Sequence, residues 1–244
     1  ILPPEKIAAE LIRIGRHPVM DLFGSAKPGP LLPARAEELN RIFMRIRTAT
    51  GVDFTYYKQA TILRRIHRRM LLHKIDSLEH YVRYLQENPA EVGVLYQDIL
   101  INVTSFFREP EAFTALKNVV FPRIVENRSF DMPLRVWVPG CSTGEEAYSL
   151  AMCFQEFSEE LDVFHPIQIF ASDIDEAAIE KARQGVYPDA IAQDISAERL
   201  RRFFVKTEQG YQISKAVRDL CVFARQNLIK DPPFSRMDLI SCRN

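Results

Sequence analysis

Cysteine is scarce in this chain and carries no pattern: Cys141, Cys153, Cys221 and Cys242 include no C-x-x-C pair, and the five histidines show no metal-ligand spacing. The thiols read as reduced and mostly buried, which points to a cytoplasmic protein with no metal site. No apolar run reaches the ~18 residues that a membrane span needs. The opening ILPPEKIAAEL lacks the basic start and long apolar stretch of a signal peptide. It also lacks an initiator methionine, so the chain reads as an excised or processed piece. Net charge is missing too: 32 Lys+Arg balance 32 Asp+Glu. Taken alone, that argues against a protein that coats nucleic acid or membrane. What is present is ordinary: 244 residues, 47% hydrophobic and 26% charged, enough for one large domain or two modest ones.

The zero conceals an asymmetry. Between Arg35 and Lys74 there are ten Lys/Arg and three acids, leaving 22 basic and 29 acidic residues elsewhere. Residues 3–16 have Pro4 near the start and Ile7, Leu11 and Ile14 at helical spacing, so a short helix is expected. Residues 17–33 are rich in Pro and Gly and read as a linker. Residues 34–105 read as a helical domain with four apolar stripes: Leu39–Ile46, Ile62–Met70, Leu78–Leu85 and Val92–Leu100. From about residue 106 the pattern changes. Phe113–Val125 reads as helix. Strand-length runs LRVWV (134–138), IQIFA (167–171), CVFA (221–224) and MDLISC (237–242) then alternate with helices near 144–158 and 175–184. That alternation predicts a parallel sheet with helices on both faces. Residues 186–219 interrupt it with a helix, Ser196–Phe204, and a hairpin, FFVK–TEQG–YQIS, and read as an insertion.

The local chemistry concentrates where strands end. VPGCSTGEEAYSLAMCF places a Gly/Ser/Thr turn between a strand and a helix, a geometry that presents N–H groups to a polar ligand. It is neither G-x-G-x-x-G nor a Gly-Lys-Ser/Thr loop, so a nucleoside triphosphate site is not expected. Glu145 and Glu146 either complement the helix N-terminus or face a cationic ligand. After the second strand, ASDID offers Asp173 for ribose hydroxyls, Asp175 being placed to cap the next helix. Asn227 and Asn244 follow the third and fourth strands, as turn residues or as ligand contacts. In NVTSFFREP, Arg108 either bridges the two parts or pairs with Glu109 or Glu111. On the helix ILRRIHRRMLLHK, Arg64, Arg65, Arg68 and Arg69 line one face with no acid between Arg64 and Lys74. Such a face is either simply solvated or docks an acidic partner.

Together NVTSFFRE, CSTGEEAYS, FASDID, the insertion ending in FARQNL and the terminal SCRN resemble, in order, the chemotaxis receptor glutamate methyltransferases, the CheR family. The resemblance runs from about residue 36 to the end. It implies a Rossmann-type α/β S-adenosylmethionine-dependent methyltransferase domain at 106–244, with a small inserted β-subdomain, after the all-helical domain at 34–105. It further implies transfer of methyl groups to glutamates of chemoreceptor cytoplasmic helices, with S-adenosylhomocysteine as product. By resemblance Asn102, Thr104, Arg108, Glu146, Asp173, Asn227, Leu228 and Asn244 contact the cofactor, and Arg108 is the catalytic candidate. Arg64, Arg65, Arg68 and Arg69 match the receptor-docking helix.

Departures are expected to matter. Ala147 stands where the family often has Pro. The short hairpin loop VKTEQGYQ suggests a member that needs no receptor-tail tether. The family normally continues past the position of Asn244, so the catalytic domain reads as C-terminally truncated, and MDLISC as an unpaired edge that favours self-association. The first 18 residues resemble the end of the receptor methylesterase domain, which implies a fused esterase–methyltransferase parent. Two alternatives remain beside this reading: a cofactor-binding but inactive sensor or interaction module, and an RNA methyltransferase using the basic helix. Only Tyr56 and Tyr57 lie near that helix as stacking aromatics.

Overall fold

The computed structural model describes residues 3–15, 33–100, 102–126, 132–161 and 165–243. The expected linker 17–33 lies outside the described residues except for Pro33, which opens a helix instead. The chain forms two compact units, Ile1–Ile101 and Asn102–Asn244.

The first unit is helical: α1 (Pro4–Gly15), α2 (Pro33–Thr50), α3 (Gln59–His73), α4 (Leu78–Glu87) and α5 (Pro89–Ile99). Its core is the set of stripes read from the sequence. Leu39, Ile42, Phe43 and Ile46 of α2, Ile62, Ile66 and Met70 of α3, and Leu78, Tyr81, Val82 and Leu85 of α4 are all buried, as are Val92, Leu95 and Ile99 of α5. Val52 and Phe54, in the α2–α3 connection, join them. Local chemistry sets the ends. Lys74 takes φ 60° and closes α3, its N–H and that of Ile75 bonding back to Leu71 and Met70. The Ser77 side chain caps α4 by accepting from the His80 N–H at 3.2 Å. Pro89 starts α5, where its missing N–H is not needed.

The second unit opens with α6 (Pro110–Ala115), a π-helical turn (Leu116–Val120) and α7 (Phe121–Val125). Pro122 supplies no N–H to the helical ladder and crowds the carbonyl before it, so the turn just upstream widens. The main sheet holds β1 (Leu134–Pro139), β2 (Ile167–Asp173), β6 (Cys221–Arg225) and β7 (Leu239–Ile240), all parallel, in spatial order β6-β2-β1-β7. A smaller antiparallel sheet, β3-β5-β4, is formed by Val186–Tyr187, Gly210–Ile213 and Phe204–Thr207. Helix α8 (Glu145–Glu160) joins β1 to β2, α9 (Glu176–Gln184) follows β2, α10 (Ala197–Phe203) precedes β4, and α11 (Lys215–Arg218) precedes β6.

Expectation and structure differ at one layer. Val136, Val138, Ile169, Ala171 and Phe223 form one face of the sheet, and α8 and α9 pack on it. On the other face, Trp137 and Phe170 meet Phe234 at 5.5 and 5.4 Å, while Val222 and Ile240 are exposed. The order of crossovers explains this. The steps β1→β2→β6 run one way across the sheet, and right-handed crossovers then place both helices on the same side. The step β6→β7 reverses direction, and its connection, 226–238, contains no helix. No described helix is long and apolar enough to cross a membrane.

Candidate functional site

The direction reversal sits beside β1, and open parallel sheets bind ligands beyond the carboxyl ends of their strands at such a point. Pro139 ends β1, and the next five residues, Gly140–Gly144, turn sharply into α8. Gly140, Ser142 and Gly144 all take positive φ (69°, 50° and 94°). Glycine suits that region and Ser142 does not, so the turn is held by its bonds. Cys141 N–H donates to the Ser172 carbonyl at 3.0 Å, and Gly144 N–H to Cys141 at 2.9 Å. Ser142 N–H donates to Asp173 Oδ2 at 2.8 Å. A Cβ on Gly144 would lie 2.9 Å from that of Ala182, so the helix packs tightly here, whereas a Cβ on Gly140 would meet nothing within 4 Å. The turn is closed behind and open in front.

Asp173 accepts a second backbone bond, from Asp175 N–H, at 2.9 Å. It remains half-buried, with lone pairs to spare beyond these two bonds. Asp175 caps α9 through Oδ1, accepting from Ala177 and Ala178. Its other oxygen accepts from Asn102 Nδ2 at 2.8 Å, and Asn102 Oδ1 accepts from the Ser142 hydroxyl at 3.0 Å. The structure therefore links the predicted residues Asn102 and Asp173 through Ser142 and Asp175.

Segment 102–109 is anchored by two buried rings, Phe106 and Phe107, and by a 3.0 Å bond from Phe107 N–H to the Ser149 hydroxyl of α8. Phe107 and Glu109 both take positive φ (48° and 56°), so Arg108 is fixed between two left-handed residues. Its guanidinium donates to the Val103 carbonyl at 3.1 Å. Glu109 pairs with Arg243, which also donates to the Arg108 carbonyl at 2.9 Å, so the ion pair from Glu109 goes to the chain's end and not to Arg108. Glu146 accepts from the Ser241 hydroxyl at 2.6 Å. Burial pushes its carboxyl above the usual range, against the pull of Ser241, Arg243 and Arg108. Glu145 is also raised, chiefly by burial, and takes a bond from the Thr143 hydroxyl; it faces inward.

The remaining predicted residues are less engaged. Thr104 is half-buried in the same segment as Asn102. Asn227 forms an Asx-type turn: its Oδ1 accepts from Ile229 N–H at 3.0 Å, and its own N–H donates to Asp231 at 2.7 Å. That turn starts beside Asp173, whose carbonyl accepts from Gln226 N–H at 2.9 Å. Leu228 is exposed. Asn244 lies outside the described residues. Sequence reasoning passed over Ser142, Gln226, Ser241 and Arg243. All four stood inside quoted motifs, CSTGEEAYS, FARQNL and SCRN, but none was singled out there; Gln226 is buried with Oε1 unbonded.

This donor set fits S-adenosylmethionine. Carboxylates at the start of α8 and the end of β2 suit a cation and ribose hydroxyls, Gly140 leaves open room, and Gln226, whose N–H bonds the Asp173 carbonyl, carries a buried unpaired side-chain oxygen. A cavity of about 440 Å³ lies between α8 and α10, and one of about 360 Å³ lies between α8, α6 and the π-helical turn, with Lys117, Glu160 and Arg199 lining both.

The basic helix needs one correction. Arg64 and Arg68 are exposed and Arg65 is half-buried on α3, but Arg69 is not part of an open docking face. Its guanidinium holds Glu91 of α5 with two bonds, 2.8 and 2.6 Å, and is only 14% exposed. Tyr81 and His73 also contact that carboxylate at 2.9 and 3.0 Å. Arg68 lies 3.7 Å from Asp98. The acids absent from the basic run come from another helix.

Comparison with known proteins shows the family. Residues 37–100 match the family described as CheR methyltransferase, all-alpha domain, and residues 102–244 match CheR methyltransferase, SAM binding domain. An uncharacterized 104.1 kDa protein in the hypE 3'region of Rhodobacter capsulatus is 41% identical over 209 residues, covering 86% of this chain and 22% of that protein. The chain thus spans about a fifth of that relative. Chemotaxis protein methyltransferase 2 of Pseudomonas aeruginosa is 32% identical over 85% of this chain and 74% of its own length. The chemotaxis protein methyltransferase of Borreliella burgdorferi is 28% identical, with 85% and 76% covered. The chain belongs to the CheR methyltransferase family, with an all-alpha domain followed by an S-adenosylmethionine-binding domain.

Proposed function

We propose that this chain methylates glutamate side chains on chemoreceptor cytoplasmic helices, forming glutamyl methyl esters in chemotactic adaptation. The observation that supports this most is the linked polar set Asn102, Ser142, Asp173 and Asp175 at the carboxyl edge of the sheet, in a chain of this family. The relatives named as chemotaxis protein methyltransferases point the same way.

The proposed cofactor contacts are Asn102, Thr104, Arg108, Glu146, Asp173, Asn227 and Leu228, with Asn244. S-adenosylmethionine, when bound, supplies a methyl group on an electrophilic sulfonium and leaves as S-adenosylhomocysteine. Glu146 and Asp173 offer negative charge and acceptor oxygens at the start of α8 and the end of β2. Arg108, its backbone pinned on both sides, orients the cofactor or the incoming carboxylate. A glutamate side chain, with a reference pKa of about 4.3, is ionised at neutral pH, so no general base is assigned. Alignment and partial desolvation of that weak nucleophile supply the rate. Arg64, Arg65 and Arg68 form the proposed surface for an acidic receptor helix. The reading places the protein's work in the cytoplasm, without nucleic acid or membrane insertion, and a fused methylesterase domain is proposed from ILPPEKIAAELIRIGRHP.

The test is transfer of radiolabelled methyl from S-adenosylmethionine to a receptor cytoplasmic fragment, with RNA as a parallel acceptor. Label on the fragment that mild base releases as methanol is the expected result. Base-stable label, label on RNA, or cofactor binding with no transfer overturns the proposal.

A further inference from the structure

Tyr187 is 1% exposed and belongs to the inserted sheet, outside every residue assigned to the cofactor above. Its phenol donates to the Thr143 carbonyl at 2.7 Å, in the middle of the Gly140–Gly144 turn. Burial pushes that phenol well above its ordinary pKa, so it stays protonated and remains a donor. Its ring meets Phe106 edge-on at 4.9 Å, and Phe106 also meets Phe204 of β4 at 5.5 Å. Phe106 anchors the segment that carries Asn102, Thr104 and Arg108. On the other side, Gly210 of β5 lies so close that a Cβ there would be 2.1 Å from the Tyr187 carbonyl oxygen. One side chain therefore touches the glycine turn and the 102–109 segment, while its backbone is clasped by the β4–β5 hairpin.

We propose that Tyr187 is a positioning residue for cofactor binding, holding the strained Ser142–Gly144 turn in its open form and coupling it to the inserted sheet. This rests on the cofactor reading given under Proposed function. The physical reason is that Ser142 occupies a left-handed conformation that its neighbours must enforce, and the Thr143 carbonyl is buried in a turn with no other described donor to it. Tyr148 provides a matched control. It is buried, sits on α8, and donates its phenol to the Ala182 carbonyl at 2.7 Å, a bond to α9 and not to the turn.

The experiment is calorimetric titration of S-adenosylhomocysteine into the parent chain, Tyr187→Phe and Tyr148→Phe, with hydrogen exchange read across 140–144. Tyr187→Phe is expected to weaken binding about tenfold or more and to speed exchange of the turn amides. Tyr148→Phe is expected to lower the melting temperature comparably and leave the Kd within about twofold. Equal Kd values for Tyr187→Phe and the parent, or equal weakening in both variants, overturn the proposal. If Tyr187→Phe is too unstable to titrate, the parent decides: ligand must protect 141–144, 186–187 and 210–213 together, and protection of the turn alone overturns the coupling. A parent chain that binds no S-adenosylhomocysteine removes the cofactor reading itself, and this proposal with it.

Discussion

Arg65 and Arg69 stand one helical turn apart in the same basic run and do different work. Arg65 is half-buried at the surface of α3, while Arg69 is locked on a buried carboxylate. Arg69→Ala leaves the buried Glu91 carboxylate without its arginine, with only the Tyr81 and His73 contacts, and is expected to destabilise the helical unit by about 3 kcal/mol in urea denaturation. Arg64→Ala should stay within about 0.5 kcal/mol of the parent while weakening association with an acidic receptor helix. Glu91 also fixes a pH dependence. Burial alone would raise its carboxyl, but Arg69, Tyr81 and His73 outweigh burial and hold it below the usual range. A depressed folded pKa gives stability that is present above the unfolded value of about 4.3 and lost as pH falls through the folded one. Glu146 has the opposite sign, raised by burial, so its contribution is present at low pH and lost as pH rises. Glu146→Gln should accordingly raise the melting temperature at pH 8 and not at pH 4, while weakening cofactor binding. Of this residue-scale picture, the acids were legible from local order: Asp173 ends β2, and Glu146 opens the helix after the glycine turn that follows β1. The fate of Arg69 was not, because its partner lies 22 residues away on another helix.

At the scale of elements, periodicity carried the reading furthest. The four stripes of α2–α5 supply the core of the first unit, because a 3.6-residue repeat of apolar side chains has one way to leave water, whereas Ile7 and Leu11 of the expected stripe on α1 are exposed. The hairpin FFVK–TEQG–YQIS was equally plain, and its β4 and β5 pair from Phe204↔Ile213 to Thr207↔Gly210. What lay beyond local pattern was neighbourhood. MDLISC reads as six strand residues but pairs over Leu239–Ile240, and the Asp238 side chain, not a ladder carbonyl, accepts from Arg135 N–H at 2.8 Å. Gly210 likewise looked like loop glycine, whereas its φ of 126° and its closeness to Tyr187 make it structural. Gly210→Ala combines a strained backbone with overpacking and should cost about 3 kcal/mol or more. Thermal denaturation, with limited proteolysis in 204–213, reads both the loss and its place.

For the whole molecule, zero net charge describes neither part. The basic excess between Arg35 and Lys74 belongs to the helical unit, whereas the Glu146 and Asp173 carboxylates belong to the α/β unit. Two kinds of binding with different salt responses follow. Association with an acidic receptor fragment, read by fluorescence anisotropy, should weaken about tenfold or more between low salt and ~0.5 M, where charges on surface side chains are screened. Affinity for S-adenosylhomocysteine should change far less, because its contacts are short-range and partly buried. Fold class was legible from strand–helix alternation, but the sheet face packed by Phe234 in place of a described helix was not, since it follows from the direction of the β6→β7 step. The account rests on one placement above all, the cofactor at the carboxyl edge of the main sheet. A crystal structure of the chain with S-adenosylhomocysteine tests it directly. Ligand density beyond the ends of β1 and β2, within hydrogen-bonding distance of Asp173 and in contact with the Gly140–Gly144 turn, is predicted. Density in the cavities along α8, with the turn left empty, would contradict it.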